Sequence, residues 1–282
     1  MHFVKVEGAG NDYVLVDAFD ASVEDPGALS RRISDRHAGI GSDGLLVVGP
    51  ADGDGDAVAR MRIFNADGSE GRMCGNGLRC VLRWLVETGR ATGDGELTVL
   101  TASGPRSGRM LDSETAEVAM GVPDFLPTAV PVRAEGDGTA PPELPVPVGL
   151  HADPDAGFCV SIGNPHLVVR VPDPGAVDLP RHGAKLSSAD ALGEGANVHF
   201  VRVLGPDRIE ARPWELGSGA TRACGTGAVA VVAVSQRLGW TNGPRTTVFM
   251  PGGELVVRWD GEGQAWLAGP ARFPFSGEWL DR

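Results

Sequence analysis

The chain has 282 residues, 42% hydrophobic and 22% charged, which is long for one ordinary core and enough for two domains of about 100–150 residues. Its formal net charge is -12 with only two lysines, Lys5 and Lys185, which disfavours nucleic acid or an anionic membrane face as partner, since both select a basic patch. No apolar run approaches the roughly 18 residues of a membrane span, and residues 1–8 hold no basic segment leading into an apolar one, so the expected compartment is the cytoplasm.

Short β-rich runs are expected at residues 12–17, 44–48, 60–64 and 96–101, alternating with Gly/Asp turns. Residues 52–56 read as a loop. A helix follows Cys74, with Leu78, Val81, Leu82 and Leu85 at i, i+3, i+4, i+7 spacing. Residues 135–147, rich in Gly and Pro, read as an exposed loop. A second helix, 228–238, follows Cys224 and is apolar on most faces, as expected of a helix enclosed by sheet.

The sequence is written twice. Arg72-Met73-Cys74-Gly75-Asn76-Gly77 and Arg222-Ala223-Cys224-Gly225-Thr226-Gly227 share R-x-C-G-x-G at an offset of 150. Gly89 and Gly239 stand 15 residues after each cysteine, and Asn65 and Glu215 nine before. Gly10-Asn11 matches Gly163-Asn164 at offset 153, Gly41-Ser42-Asp43 matches Gly195-Ala196-Asn197 at 154, and Met120-Gly121 matches Ala268-Gly269 at 148. Matches in one order with small drift point to a duplicated domain.

The four cysteines, Cys74, Cys80, Cys159 and Cys224, are too sparse for a disulfide scaffold and form no C-x-x-C pair, so a zinc ribbon is not expected. A cysteine alone is most often a small buried apolar residue; Cys80 and Cys159 read that way. Cys74 and Cys224 differ because each stands where a turn gives way to a helix. Helix starts carry unsatisfied N–H groups and partial positive charge, which should lower the thiol pKa and can hold a carboxylate. Gly75 and Gly77, or Gly225 and Gly227, admit a ligand close to the backbone. One such site is compatible with a cysteine hydrolase or a phosphate loop. Two related by duplication suit inversion of a stereocentre: one thiolate removes a Cα proton and the other thiol returns a proton to the opposite face, a general acid–base step helped by the helix ends.

At these residues the chain resembles the diaminopimelate epimerase family. The motifs are G-A-G-N-D-Y at 8–13, F-N-A-D-G-S at 64–69, M-C-G-N-G-L-R-C at 73–80, G-N-P-H at 163–166 and A-C-G-T-G-A at 223–228. The resemblance implies an α/β (α+β) fold of two pseudo-symmetric domains, each a β-barrel-like sheet around a central helix. The expected division is 1–121 plus 270–282, carrying Cys74, and 122–269, carrying Cys224, with the final segment returning to the first domain. It implies epimerisation of LL-diaminopimelate to the meso form, in lysine and peptidoglycan precursor synthesis, without pyridoxal phosphate or metal. It implies that His166 attends Cys74 and Glu215 attends Cys224, and that Asn11, Asn65, Asn164 and Asn197 lie against the substrate. Asn76 and Thr226, beside the helix-start glycines, complete the expected binding set. The implied partner is a small amino acid, with a homodimer common in the family.

One departure bears on substrate. In the family the residue after Glu215 is normally an arginine that pairs with the distal carboxylate; here it is Leu216, which cannot form that pair. A related two-cysteine racemase acting on an amino acid without a distal carboxylate is therefore the alternative. Gly44, a Gln in some members, reads as ordinary variation. The similar isomerase fold without the cysteine pair is disfavoured by Cys74 and Cys224. A non-catalytic amino-acid binder would use both cysteines only for packing.

Overall fold

The computed structural model describes residues 1–51, 53, 55–130, 132, 137–146, 150 and 156–280. The chain forms two compact units, residues 1–119 with 268–282, and residues 120–267.

The first unit begins with a hairpin, β1 (His2–Gly8) and β2 (Asn11–Asp17), followed by α1 (Pro26–Ser34). Then come β3 (Gly44–Gly49), β4 (Ala57–Asn65), the short β5 (Glu70–Gly71) and α2 (Gly75–Glu87), and β6 (Leu97–Thr101), β7 (Gly104–Met110) and β8 (Thr115–Gly121). Pairing is antiparallel for β1–β2, β3–β4, β4–β5, β6–β7 and β7–β8, and parallel for β2–β3 and β4–β6. The last strand, β18 (Arg272–Glu278), pairs antiparallel with β1, from His2 opposite Glu278 to Glu7 opposite Arg272.

The second unit repeats the scheme. After a short strand β9 (Glu143–Pro145) come β10 (Ala156–Ser161), β11 (Pro165–Arg170), α3 (Leu179–Ser187), β12 (Asn197–Gly205), β13 (Arg208–Glu215) and β14 (Gly219–Ala220). Then follow α4 (Gly225–Arg237), β15 (Arg245–Met250), β16 (Gly253–Arg258) and β17 (Ala265–Pro270). β10–β11, β12–β13, β13–β14 and β15–β16 are antiparallel, while β11–β12 and β13–β15 are parallel. The sequence of pairings is that of the first unit, as the offsets of about 150 led one to expect. Both central helices have 13 residues, and both stop at a glycine with φ of +68°, Gly89 and Gly239, the left-handed turn that relieves the last carbonyls.

Strand alternation sorts each sheet's two faces. Val14, Val16, Leu45 and Val47 pack under α1 with Leu29 and Ile33. That leaves Tyr13 and Leu46 on the face of the central helix α2. Likewise Leu167, Val169, Val198 and Phe200 pack with Leu179 and Leu186 of α3, leaving His166 and His199 on the face of α4. Strands buried on both faces explain why β3 and β10 read as continuous apolar runs. Every residue of α4 from Gly227 to Ser235 is buried, so the helix is enclosed, as its uniform apolarity suggested.

The sequence reading missed α1 and α3. Both are nine residues long and open on an aspartate cap with an early proline: Asp25 accepts from the Ala28 N–H and Asp178 from the Arg181 N–H. The expected loop over 135–147 is also corrected. Glu143–Pro145 forms β9 because Leu144 buries into the second core and pairs opposite Gly157. Residues 135, 136 and 147 of that stretch, and 52 and 54 of the expected 52–56 loop, lie outside the described residues.

Candidate active site

In the first unit Cys74 is the N-cap of α2, in extended conformation at φ -140° and ψ 114°. Its sulfur accepts the Gly77 N–H at 3.3 Å and lies 3.2 Å from the Tyr13 hydroxyl. Close backbone approach is possible because residue 77 has no side chain: a Cβ there would already lie 3.2 Å from Leu46. Burial pushes the Cys74 thiol pKa up, while the Tyr13 hydroxyl, the Gly77 N–H and the Arg79 charge oppose the rise.

Asn76 and Asn11 sit beside this cap but are tied into a network. The fully buried Arg79 donates to Asn76 Oδ1 at 2.8 Å, Asn76 Nδ2 donates to Asn11 Oδ1 at 2.8 Å, and Asn11 Nδ2 donates to Asp43 at 2.9 Å. Arg36 closes the chain on Asp43 and Asp12. Burial disfavours the Asp12 carboxylate, but Arg36 and Lys5 outweigh it and hold its pKa below the usual range. These asparagines are thus held in place before any ligand arrives. Asn65 lies at the end of β4, where its amide donates to Ser69 Oγ at 2.9 Å in an exposed turn. Gly75 is the buried first residue of α2.

In the second unit Cys224 caps α4 at φ -128° and ψ 112°, and no side-chain capping bond forms. Thr226 Oγ1 lies 3.6 Å from the sulfur, and Gly225 opens the helix. The Glu215 carboxylate lies beside Cys224 and accepts from the Thr221 hydroxyl. Burial raises the Glu215 pKa despite this donor. Burial, reinforced by the adjacent Glu215 charge, raises Cys224 well above the ordinary thiol range.

The expectation that helix ends leave both thiols with lowered pKa is therefore corrected. The capping N–H groups do favour thiolate, but removing sulfur from water costs more than one or two such bonds return. Cys80 and Cys159 are buried and pushed up to about 12, inert packing residues as read.

Also in the second unit, Asn197 Oδ1 accepts the Leu216 N–H at 2.9 Å and its amide donates to Pro165 O at 3.3 Å, strapping β11 to the end of β13. The Leu216 side chain is 48% exposed. Asn164 Oδ1 lies 3.0 Å from His166 Nε2, and His166 Nδ1 lies 2.9 Å from His199 Nε2. The structure thus gathers Cys74, Gly75, Asn76 and Asn11 in one unit, and Cys224, Gly225, Thr226 and Glu215 in the other, with Asn164 joined to His166.

Sequence reasoning missed Tyr13, Asp43, Arg79, Thr221 and His199. The duplication held a signal for one of them: Tyr13 stands 153 residues before His166, and each opens the parallel pairing of its repeat. Among the described residues no three His, Cys, Asp or Glu side chains gather as metal ligands would, and no helix is long and apolar enough to cross a membrane.

The diaminopimelate epimerase family model matches residues 3–126 and 158–274. The chain belongs to the diaminopimelate epimerase family. It is 41% identical to the diaminopimelate epimerase of Xanthomonas campestris pv. campestris, over 99% of this chain and 96% of that one. It is 39% identical to that of Desulfovibrio desulfuricans, over 99% and 98%. Family membership makes the chain an isomerase of the racemase and epimerase kind. Solved structures share the fold. A predicted epimerase of Pseudomonas aeruginosa superposes with TM-score 0.71 at 21% identity, covering 100% of this chain and 99% of that one. A probable proline racemase from Agrobacterium radiobacter gives 0.66 at 16%, covering 99% and 92%.

Proposed function

We propose that this chain epimerises LL-diaminopimelate to the meso form, with Cys74 and Cys224 as the acid–base pair. The observation that carries the proposal is the matching placement of the two thiols, each capping the 13-residue central helix of one repeat. One sulfur enters as thiolate, takes the Cα proton and becomes thiol. The other enters as thiol, gives its proton to the opposite face of the carbanion and becomes thiolate. Electrons and protons balance without pyridoxal phosphate or metal. Glu215 lies beside Cys224 and can relay its proton, and Tyr13 steadies the charge on Cys74. His166 is read as attending Cys74, and Asn11, Asn65, Asn76, Asn164, Asn197 and Thr226 as contacting substrate, on the strength of their motif positions. A cytoplasmic, homodimeric enzyme completes the reading, the first supported by four free cysteines and the second by the family resemblance.

Leu216 supplies no cation for the distal carboxylate, so in this reading either another arginine serves it or diaminopimelate binds weakly. The test is Cα–H exchange in D₂O across LL-diaminopimelate and monocarboxylic amino acids, in wild type and Leu216→Arg. Exchange into diaminopimelate is expected, and Leu216→Arg should improve it selectively. Inert diaminopimelate beside rapid exchange of a monocarboxylic amino acid would transfer the assignment to that substrate; no exchange from any amino acid would leave a binding protein.

A further inference from the structure

His199 has no role in the reading above, yet it is one of the most confined side chains in the molecule. It is fully buried, and its ring lies against the first turn of α4 so closely that a Cβ on Gly227 would be 2.1 Å from His199 Cε1. The duplication shows what the fold alone asks for there. Gly77 stands 150 residues before Gly227, and the side chain against it is Leu46. The strand register agrees and moves the match at offset 154 by one residue: Gly44, paired with Tyr13, rather than Asp43, corresponds to Asn197, paired with His166, so Leu46 and His199 are equivalent two residues on. One repeat fills the space with leucine. The other places a polar ring there, at a desolvation cost that leucine would avoid.

The hydrogen bonds show what the ring does. Asn164 Oδ1 faces His166 Nε2, and a carbonyl oxygen only accepts. His166 Nε2 therefore carries the hydrogen. His166 Nδ1 is then a lone pair and must accept, so His199 Nε2 carries the second hydrogen. That leaves His199 Nδ1 as a bare lone pair, and it is the ring atom that finds no partner. The reverse arrangement needs the Asn164 amide turned over and strands a buried N–H at His199 Nδ1, which is the costlier orphan. Desolvation holds both rings neutral, with His199 lowered to about 3 and His166 well below its usual value, so no third proton blurs the arrangement.

We infer that His199 is a positioning residue, donating from Nε2 to His166 Nδ1 and so fixing His166 as the neutral Nε2–H tautomer, its N–H presented at the Asn164 turn. The inference deepens the proposed reading, in which His166 takes part in the reaction. A catalytic imidazole must offer one chosen nitrogen as donor or acceptor, and its partner on the other nitrogen makes that choice.

The test is ¹⁵N NMR of histidine-labelled enzyme, with His166 assigned by its loss in His166→Gln. Wild type should show His166 with a protonated Nε2 and an unprotonated, hydrogen-bonded Nδ1. In His199→Leu, which restores the residue of the other repeat, the Nδ1 signal should move toward that of a free imidazole nitrogen. kcat should fall about 10-fold or more with KM little changed, part of the 10²–10⁴ a positioned acid–base group contributes. His199→Gln, whose amide can still donate, should recover most of both. A wild-type His166 protonated on Nδ1, or a His199→Leu enzyme with unchanged His166 signals, overturns the inference. The functional reading fails separately, through His166→Gln exchanging substrate hydrogen at the wild-type rate, and the tautomer result would survive that failure.

Discussion

Gly227→Ala tests whether the His199 ring is as immobile as its surroundings imply. Alanine in the first turn of α4 would gain about 1 kcal/mol of helix propensity over glycine. Against that, its Cβ would lie 2.1, 2.7 and 2.9 Å from three His199 ring atoms, where ordinary contact begins near 3.4 Å. Overpacking of this kind costs about 1–3 kcal/mol. Displacing the ring also breaks its bond to His166 and leaves a buried lone pair unpaired, about 1–3 kcal/mol more. The net loss is about 3 kcal/mol, or a melting temperature lower by roughly 6–12 °C for a unit of this size. Gly77→Ala is the internal control. Its Cβ would press on the methyl ends of Leu46, at 3.2 and 3.3 Å, and meet Cys74 Cβ at an ordinary 3.7 Å; the methyls can yield by a few tenths of an ångström, so helix propensity and crowding nearly cancel. Thermal melts followed by circular dichroism compare the two, and Gly227→Ala/His199→Ala should regain part of the loss because the sites share one space. A Gly227→Ala protein melting within a degree of wild type would refute the packing argument.

Cys74→Ala and Cys224→Ala should each abolish Cα–H exchange with product formation in both directions, while Cys80→Ala and Cys159→Ala keep most activity; a Cys224→Ala enzyme that still epimerises would end the two-thiol mechanism. Tyr13→Phe removes a donor to the Cys74 sulfur, a bond to a charged group worth about 1.5–3 kcal/mol, so the pH midpoint for iodoacetamide labelling of Cys74 should rise by about one to two units; an unmoved midpoint would show the hydroxyl is not the donor. His166 and His199 have folded pKa values below the unfolded one, so the unfolded chain binds more protons and stability is lost as pH falls below about 6.5. Each contributes up to about 1.4 kcal/mol per pH unit. Urea midpoints at pH 7, 6 and 5 should show this fall in wild type and about one proton less of it in His199→Leu; parallel profiles would contradict the shifted His199.

The duplication, the central helices and the two capping cysteines were legible because each is a local property: spacing, periodicity and residue type at a turn. The same local logic read residues 228–238 as an enclosed helix from apolarity alone. It failed where a residue's neighbours are distant in the chain. Leu144 lies in a stretch whose Gly and Pro read as loop, and only pairing with Gly157 makes it a strand. Tyr13 meets Cys74 across 61 positions, and His166 meets His199 across 33; only strand register put those atoms together. The direction of the thiol pKa shifts belongs to the same class. The helix-start N–H groups could be read from sequence, but the desolvation that outweighs them depends on everything packed around the sulfur. The candidate acid–base groups were legible in the sequence, because side-chain identity is local. Tertiary structure decided which proton each group holds, because burial and hydrogen-bond partners come from residues far along the chain.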